Sequence, residues 1–280
     1  MATAAPAAGR WRDLGKRAIS AAILLPVAIA CIWLGAEAWT ALMAAGVALL
    51  AWEWVRLTGF STRRLPGMLV PIAVLLAGTT AVGDQPLWGI GVLALGTVVT
   101  LVLGRPPPGR PPLPFGWLAF GVGYVGLAGI ALITLRADGE AGRENVLFLF
   151  AVVWASDIGA YMAGRMLGGP KLAPAISPNK TWSGALGGLV SAMAIGALAA
   201  AVMHPTGLGR ALAVSAVLGI ASQLGDLFES WIKRHFQVKD SSALIPGHGG
   251  LLDRLDGVLT AAPTAALLVL LRAPGLHLWQ

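Results

Sequence analysis

The run GWLAFGVGYVGLAGIALITL at 116–135 holds twenty residues and no charge. About 20 consecutive apolar residues are what an α-helix needs to cross the hydrocarbon core of a bilayer. In that medium every backbone polar group must be satisfied within the segment, which selects helix. Working outward from this run, eight more apolar segments follow the same rule, at roughly 18–35, 37–55, 66–83, 86–104, 146–165, 184–203, 211–232 and 254–272. Together they predict an all-α, polytopic integral membrane protein of about nine transmembrane helices. With 56% hydrophobic and only 12% charged residues over 280 positions, a soluble globular domain is excluded.

Charge placement tests the span count independently. The chain carries a net charge of +7. With the N-terminus inside, four of its 20 Lys and Arg residues fall outside, namely Arg136, Arg143, Arg210 and Arg272. An added or missing span scrambles that asymmetry, which is the one the positive-inside rule demands. Basic inner loops beside anionic lipids explain the positive charge, and nothing resembles a nucleic-acid-binding module. The first apolar run lacks a small-residue cleavage site and reads as a retained span. The single cysteine, Cys31, excludes a disulfide framework. A Pro-rich loop at 105–114 divides one membrane domain into a cytoplasmic tail (1–17), a four-span N-terminal scaffold part (18–114) and a five-span C-terminal catalytic part (115–280). Glu53 and Trp54 are the polar exceptions in the scaffold part.

The charges that could do chemistry crowd into 230–256, between the last two spans. Asp226 lies one to two turns inside the inner end of span eight, where an ionised carboxylate is costly unless it meets a cavity or a cation. Asp226, Ser230 and Lys233 share one helical face, as do Asp253 and Asp256 at the start of span nine. An ion pair of Asp226 with Lys233 or an arginine, and N-capping by Asp253 and Asp256, are the structural alternatives. Carboxylates, the basic residues Lys233, Arg234 and Lys239, and the turn Pro246-Gly-His-Gly-Gly250 suit a nucleotide and magnesium. Magnesium commonly takes one or two carboxylates plus substrate phosphate, and glycines let backbone approach phosphate closely. His248 either meets phosphate or only packs.

A second cluster holds Asp157, Tyr161 and Arg165 in span six, followed by the loop 176–182 with Ser177, Lys180 and Thr181. An intramembrane aspartate defaults to function. A helix–helix hydrogen bond for Asp157 and a headgroup anchor for the loop are the alternatives. Gly187 and Gly188 read as close helix packing. A secondary membrane transporter using Asp157 and Asp226 is the alternative function, although the charges gather at one face rather than at midplane.

At these residues the sequence resembles the phosphatidate cytidylyltransferases, or CDP-diacylglycerol synthases. Ser230, Lys233, Arg234, Lys239, Asp240, Ser242, Pro246, His248, Gly249, Gly250, Asp253, Arg254 and Asp256 match every position of that family's signature. Asp157, Tyr161, Arg165, Ser177, Lys180, Thr181 and Asp226 look like its upstream elements. The likeness covers about 150–272; residue 183 is Ser where the family commonly has Glu. The resemblance implies that CTP and phosphatidate yield CDP-diacylglycerol and pyrophosphate with magnesium, and that Asp226 and Asp253 hold the metal, with room for a second cation. It implies catalytic roles for Asp226, Asp253, Asp256, Lys233 and His248. Ser230, Asp240, Gly249 and Gly250 belong to the substrate site, and Asp256 orients Arg254 or a metal-bound water. Lys239 and 247–250 are expected on the CTP phosphates, and Lys180, in its separate loop, on the phosphatidate headgroup. The expected location is a bacterial-type inner membrane, with the site at the cytoplasmic face, contact with membrane lipids, and a homodimer as a compatible assembly.

Overall fold

A helix that is apolar on every side must choose which face to give to its neighbours and which to lipid. The computed structural model shows that choice for residues 7–104, 115–203, 207–245, 247, 249–271 and 277–279, with 7–19 and 21 described by backbone alone. The Pro-rich loop at 105–114, His204, Pro246, His248 and Arg272 lie outside the described residues.

Among the described residues there are nine α-helices: α1 (Ala7–Leu34), α2 (Ala36–Leu57), α3 (Leu69–Val82), α4 (Pro86–Leu103), α5 (Phe115–Ala137), α6 (Gly139–Leu167), α7 (Trp182–Met203), α8 (Leu208–His235) and α9 (Leu252–Leu270). They match the nine apolar runs one for one. Six of them (α2 and α4–α8) are long and apolar enough to cross a membrane. At 14 residues α3 rises only about 21 Å, shorter than the expected 66–83. Three charges in the first five residues of α9 make its start polar. The all-α expectation needs one small addition, since Lys171–Ala173 (β1) and Ser177–Thr181 (β2) pair antiparallel where a loop was expected.

The central helix is α5, which packs against α2, α3, α4, α6 and α9. Its Leu118, Val122, Val125 and Leu132 are buried, whereas α4 turns Leu87, Trp88, Leu95 and Val98 outward. The tightest pair is α6 with α7. A Cβ at Gly188 would meet Ser156 O at 2.8 Å, and one at Gly187 would meet Gly159 O at 3.1 Å. The glycines therefore let two backbones approach, as expected for membrane helices.

Two features position the site. At one end, Trp54 Nε1 donates to Trp117 O at 2.8 Å, and Trp117 packs on Trp231, His235 and Phe236. This holds the ends of α2, α5 and α8 together. At the opposite end, Arg136 donates through Nε to Ile32 O at 2.7 Å and through Nη1 to Gly139 O at 3.0 Å. It thereby satisfies the Ile32 carbonyl, which the end of α1 would otherwise leave unpaired, and ties it to the start of α6.

Candidate active site

Helix α6 carries Asp157, Tyr161 and Arg165 along one stripe, and Arg165 Nη1 donates to Tyr161 Oη at 2.7 Å. The β1–β2 hairpin then folds back. Thr181 at its end accepts the Gly184 N–H at 3.1 Å, capping the first turn of α7. This sets Lys180 against α8, where its Nζ lies 2.6 Å from Asp226 Oδ2. The result is a cavity of about 610 Å³ lined by Asp157, Tyr161, Arg165, Lys180, Thr181 and Asp226, among others. Here the structure corrects the sequence reading. Lys180 does not stand in a separate cluster but on the Asp226 carboxylate, and among the described residues Asp226 pairs with neither Lys233 nor an arginine.

Lys233 is engaged elsewhere. Its Nζ lies 2.5 Å from Glu229 Oε2 and 2.8 Å from Asp253 Oδ1. The other oxygen of Asp253 accepts the N–H of Ser241 at 2.9 Å, its hydroxyl at 3.0 Å, and the N–H of Gly250 at 2.8 Å. Asp253 is thus buried and surrounded by donors, which holds the loop 241–250 to the start of α9. Asp256 accepts the Gly257 N–H at 2.7 Å and lies within electrostatic reach of Asp226, Asp157 and Lys180. Arg254 is exposed and bears on Asp157.

The remaining expected residues surround this core. Arg234 Nε donates to Ile176 O at 3.4 Å, tying α8 to the hairpin just before Ser177. Ser230 is half-buried in α8, and Lys239 and Asp240 are exposed in the loop. The loop closes on itself through Ile245 N–H to Gly249 O at 2.8 Å. Gly249 has φ +84°, and a Cβ there would come within 2.9 Å of Asp253 Oδ2. Gly249→Ala should therefore cost about 1–3 kcal/mol in backbone strain and push Asp253 aside. Turnover should fall about tenfold or more, since displacing a catalytic group by 1 Å can cost about 10²-fold. Steady-state kinetics on the purified variant checks this; unchanged turnover would show that the loop accommodates a side chain.

One protein-family model matches residues 15–271, spanning both the hairpin cavity and the Asp253 network. The chain belongs to the cytidylyltransferase family. A phosphatidate cytidylyltransferase of Brucella suis is 41% identical over 252 residues, covering 89% of this chain and 91% of its own length. One from Haemophilus influenzae is 33% identical over 277 residues, covering 89% and 96%. One from Staphylococcus haemolyticus is 42% identical over 150 residues, covering 53% and 56%.

Within this cytidylyltransferase, Ser183 sits beside Thr181 Oγ1 at 3.0 Å and donates its hydroxyl to Gly168 O. An ionised glutamate, an acceptor only, cannot make that bond. Three site neighbours were not assigned from the sequence: Glu229, Ser241 and Glu53. The signal for the first and last was present, because each is an acidic residue in an apolar helix. Nothing local marks Ser241, whose role arises only when the loop folds against α9.

Proposed function

We propose that the chain transfers the cytidylyl group of CTP to phosphatidate, giving CDP-diacylglycerol and pyrophosphate. The observation that carries this reading is the shared name of relatives aligned over most of both chains, joined to a cavity where lysine and arginine face aspartates. Family membership leaves the transporter alternative without support. A phosphate oxygen of phosphatidate attacks the α-phosphorus of CTP in line. The new phosphorus–oxygen bond forms as the bond to the α–β bridging oxygen breaks, and pyrophosphate leaves with that electron pair. No covalent protein intermediate is required, because positioning and charge neutralisation supply the catalysis. Lys180 and Arg165 neutralise phosphate in the cavity. Lys239 and the 247–250 backbone take CTP phosphates, with Lys233, Arg234 and Arg254 flanking them.

The donor set suits magnesium. Asp157, Asp226 and Asp256 repel one another across the site, and these three side chains offer oxygen ligands. Among the described residues no three acidic, histidine or cysteine side chains converge tightly enough to enclose a cation alone. Nucleotide phosphate and water would supply the remaining ligands, as is usual for this ion. Asp226, which lines the cavity, would hold it, and Asp253 would join only by giving up the Lys233 ammonium, because its other oxygen is filled by Ser241 and Gly250. Bound there, magnesium would supply charge neutralisation to the phosphates.

Phosphatidate keeps its acyl chains in the bilayer while CTP is cytosolic, so the site belongs at the cytoplasmic face of the inner membrane. The test is purified protein with labelled CTP and phosphatidate, with and without magnesium. Lipid-linked CMP formed only with magnesium is expected; no lipid-linked label overturns the reading. Orientation is checked by single cysteines at Leu208 and Ala243, both exposed. Membrane-impermeant reagent applied from outside should label position 208 and spare 243, and outside labelling of 243 would invert the topology.

A further inference from the structure

Glu53 belongs to α2, in the N-terminal part, yet its partners all belong to the loop and helix that carry Asp253. Its side chain is wholly buried. Oε1 accepts the Ser242 hydroxyl at 2.5 Å and the Leu251 N–H at 2.8 Å. Oε2 accepts the Leu252 N–H at 2.7 Å, with the Ser241 hydroxyl at 3.4 Å. Leu251 and Leu252 open α9, whose own N-cap residue supplies no side-chain acceptor. The first N–H groups of a helix need such acceptors and carry the positive end of its dipole. Glu53 provides both the acceptors and the opposite charge from a different helix, almost two hundred residues away in sequence.

A second observation points the same way. A Cβ at Gly250 would stand 2.7 Å from Glu53 Oε1 and overlap Ser241 Oγ. The last glycine of the loop is thus fitted to this carboxylate. The contact also reaches the chemistry in one step, because the Ser241 hydroxyl that approaches Glu53 donates to Asp253 Oδ2 at 3.0 Å.

We propose that Glu53 is a positioning residue for cytidylyl transfer: it latches the 241–252 segment to α2, sets Asp253, and thereby shapes the CTP side of the site rather than the phosphatidate side. The assignment of that side to CTP rests on the function proposed above; the latch does not. Glutamine is a poor substitute. Both carboxylate oxygens accept a backbone N–H, whereas an amide offers one oxygen and turns its NH2 toward the other donor. Aspartate is one methylene too short.

The experiment compares wild type, Glu53→Gln and Gly250→Ala in detergent micelles by two readouts. Without substrate, amide exchange in the 241–252 segment should accelerate roughly tenfold in both variants, as loss of one or two charge-assisted hydrogen bonds implies, while the interior of α9 at 258–265 stays protected. In steady-state kinetics the KM for CTP should rise about tenfold on the same grounds, and the KM for phosphatidate should move less than twofold. Unchanged exchange at 241–252 overturns the latch. Accelerated exchange with an equal rise in both constants, or with neither constant moved, reduces Glu53 to a structural cap and overturns its positioning role. If Glu53→Gln does not fold, Ser242→Ala, which keeps the carboxylate but removes its 2.5 Å hydroxyl partner, is read by the same criteria. If wild type itself makes no lipid-linked CMP, the proposed function fails while the exchange data still decide the latch.

Discussion

Asp253→Asn loses at least ~10²-fold in turnover, the scale of removing a strong electrostatic contact from a transition state. The reason lies in how its oxygens are used. One faces the Lys233 ammonium at 2.8 Å and the other receives three donors from Ser241 and Gly250. A carboxamide must point its NH2 at one of these groups, so it either repels Lys233 or releases the loop. It also removes the charge that would attract a cation. Lys233 keeps its Glu229 partner at 2.5 Å, so the helix itself should survive. Labelled-CTP turnover across a magnesium titration, with circular dichroism to confirm intact helices, is the measurement. Activity within about threefold of wild type, a difference under about 1 kcal/mol, would reduce Asp253 to an organiser of the loop.

The second large effect concerns Lys180 and Asp226. Asp226→Asn should lose at least ~10²-fold in turnover, and Lys180→Ala should lose at least ~10-fold, as removal of a charged hydrogen bond worth roughly 1.5–3 kcal/mol implies. Because the two groups touch at 2.6 Å inside one cavity, their losses should not add. The double variant is expected within about threefold of Asp226→Asn alone, with the coupling energy in the range of roughly 0.5–3 kcal/mol typical of contacting residues. A double-mutant cycle on turnover reads this directly. The same contact changes the expectation for substrates: Lys180→Ala should raise the KM for CTP as well as for phosphatidate, whereas Lys239→Ala, altering an exposed lysine of the other loop, should act on CTP. Strictly additive losses would mean that Lys180 and Asp226 serve different phosphates.

Much of this protein is legible residue by residue. Apolar runs of helical length dictate spans because lipid offers backbone groups no partners, and the nine runs became α1 to α9. The signature from Ser230 to Asp256 is contiguous, so its carboxylates and cations could be named without a fold. Helical spacing correctly put Asp226, Ser230 and Lys233 on one face. It could not say where the long Lys233 side chain would turn, and it turned to Glu229 one turn back and to Asp253 on α9. Lys180 lies on β2 and Asp226 on α8, and no local period relates them; the β1–β2 fold-back brings them together. Glu53 stood out as an acidic residue in an apolar helix, but its partners were invisible, since a buried carboxylate is satisfied by whichever donors the neighbouring chain delivers. Composition and local spacing therefore determined helices, membrane residence and the chemical inventory. Which lysine meets which carboxylate, and which glutamate caps α9, was decided only by how α2, α7, α8 and α9 pack, because those pairings depend on distances between helices that no period along one chain segment encodes.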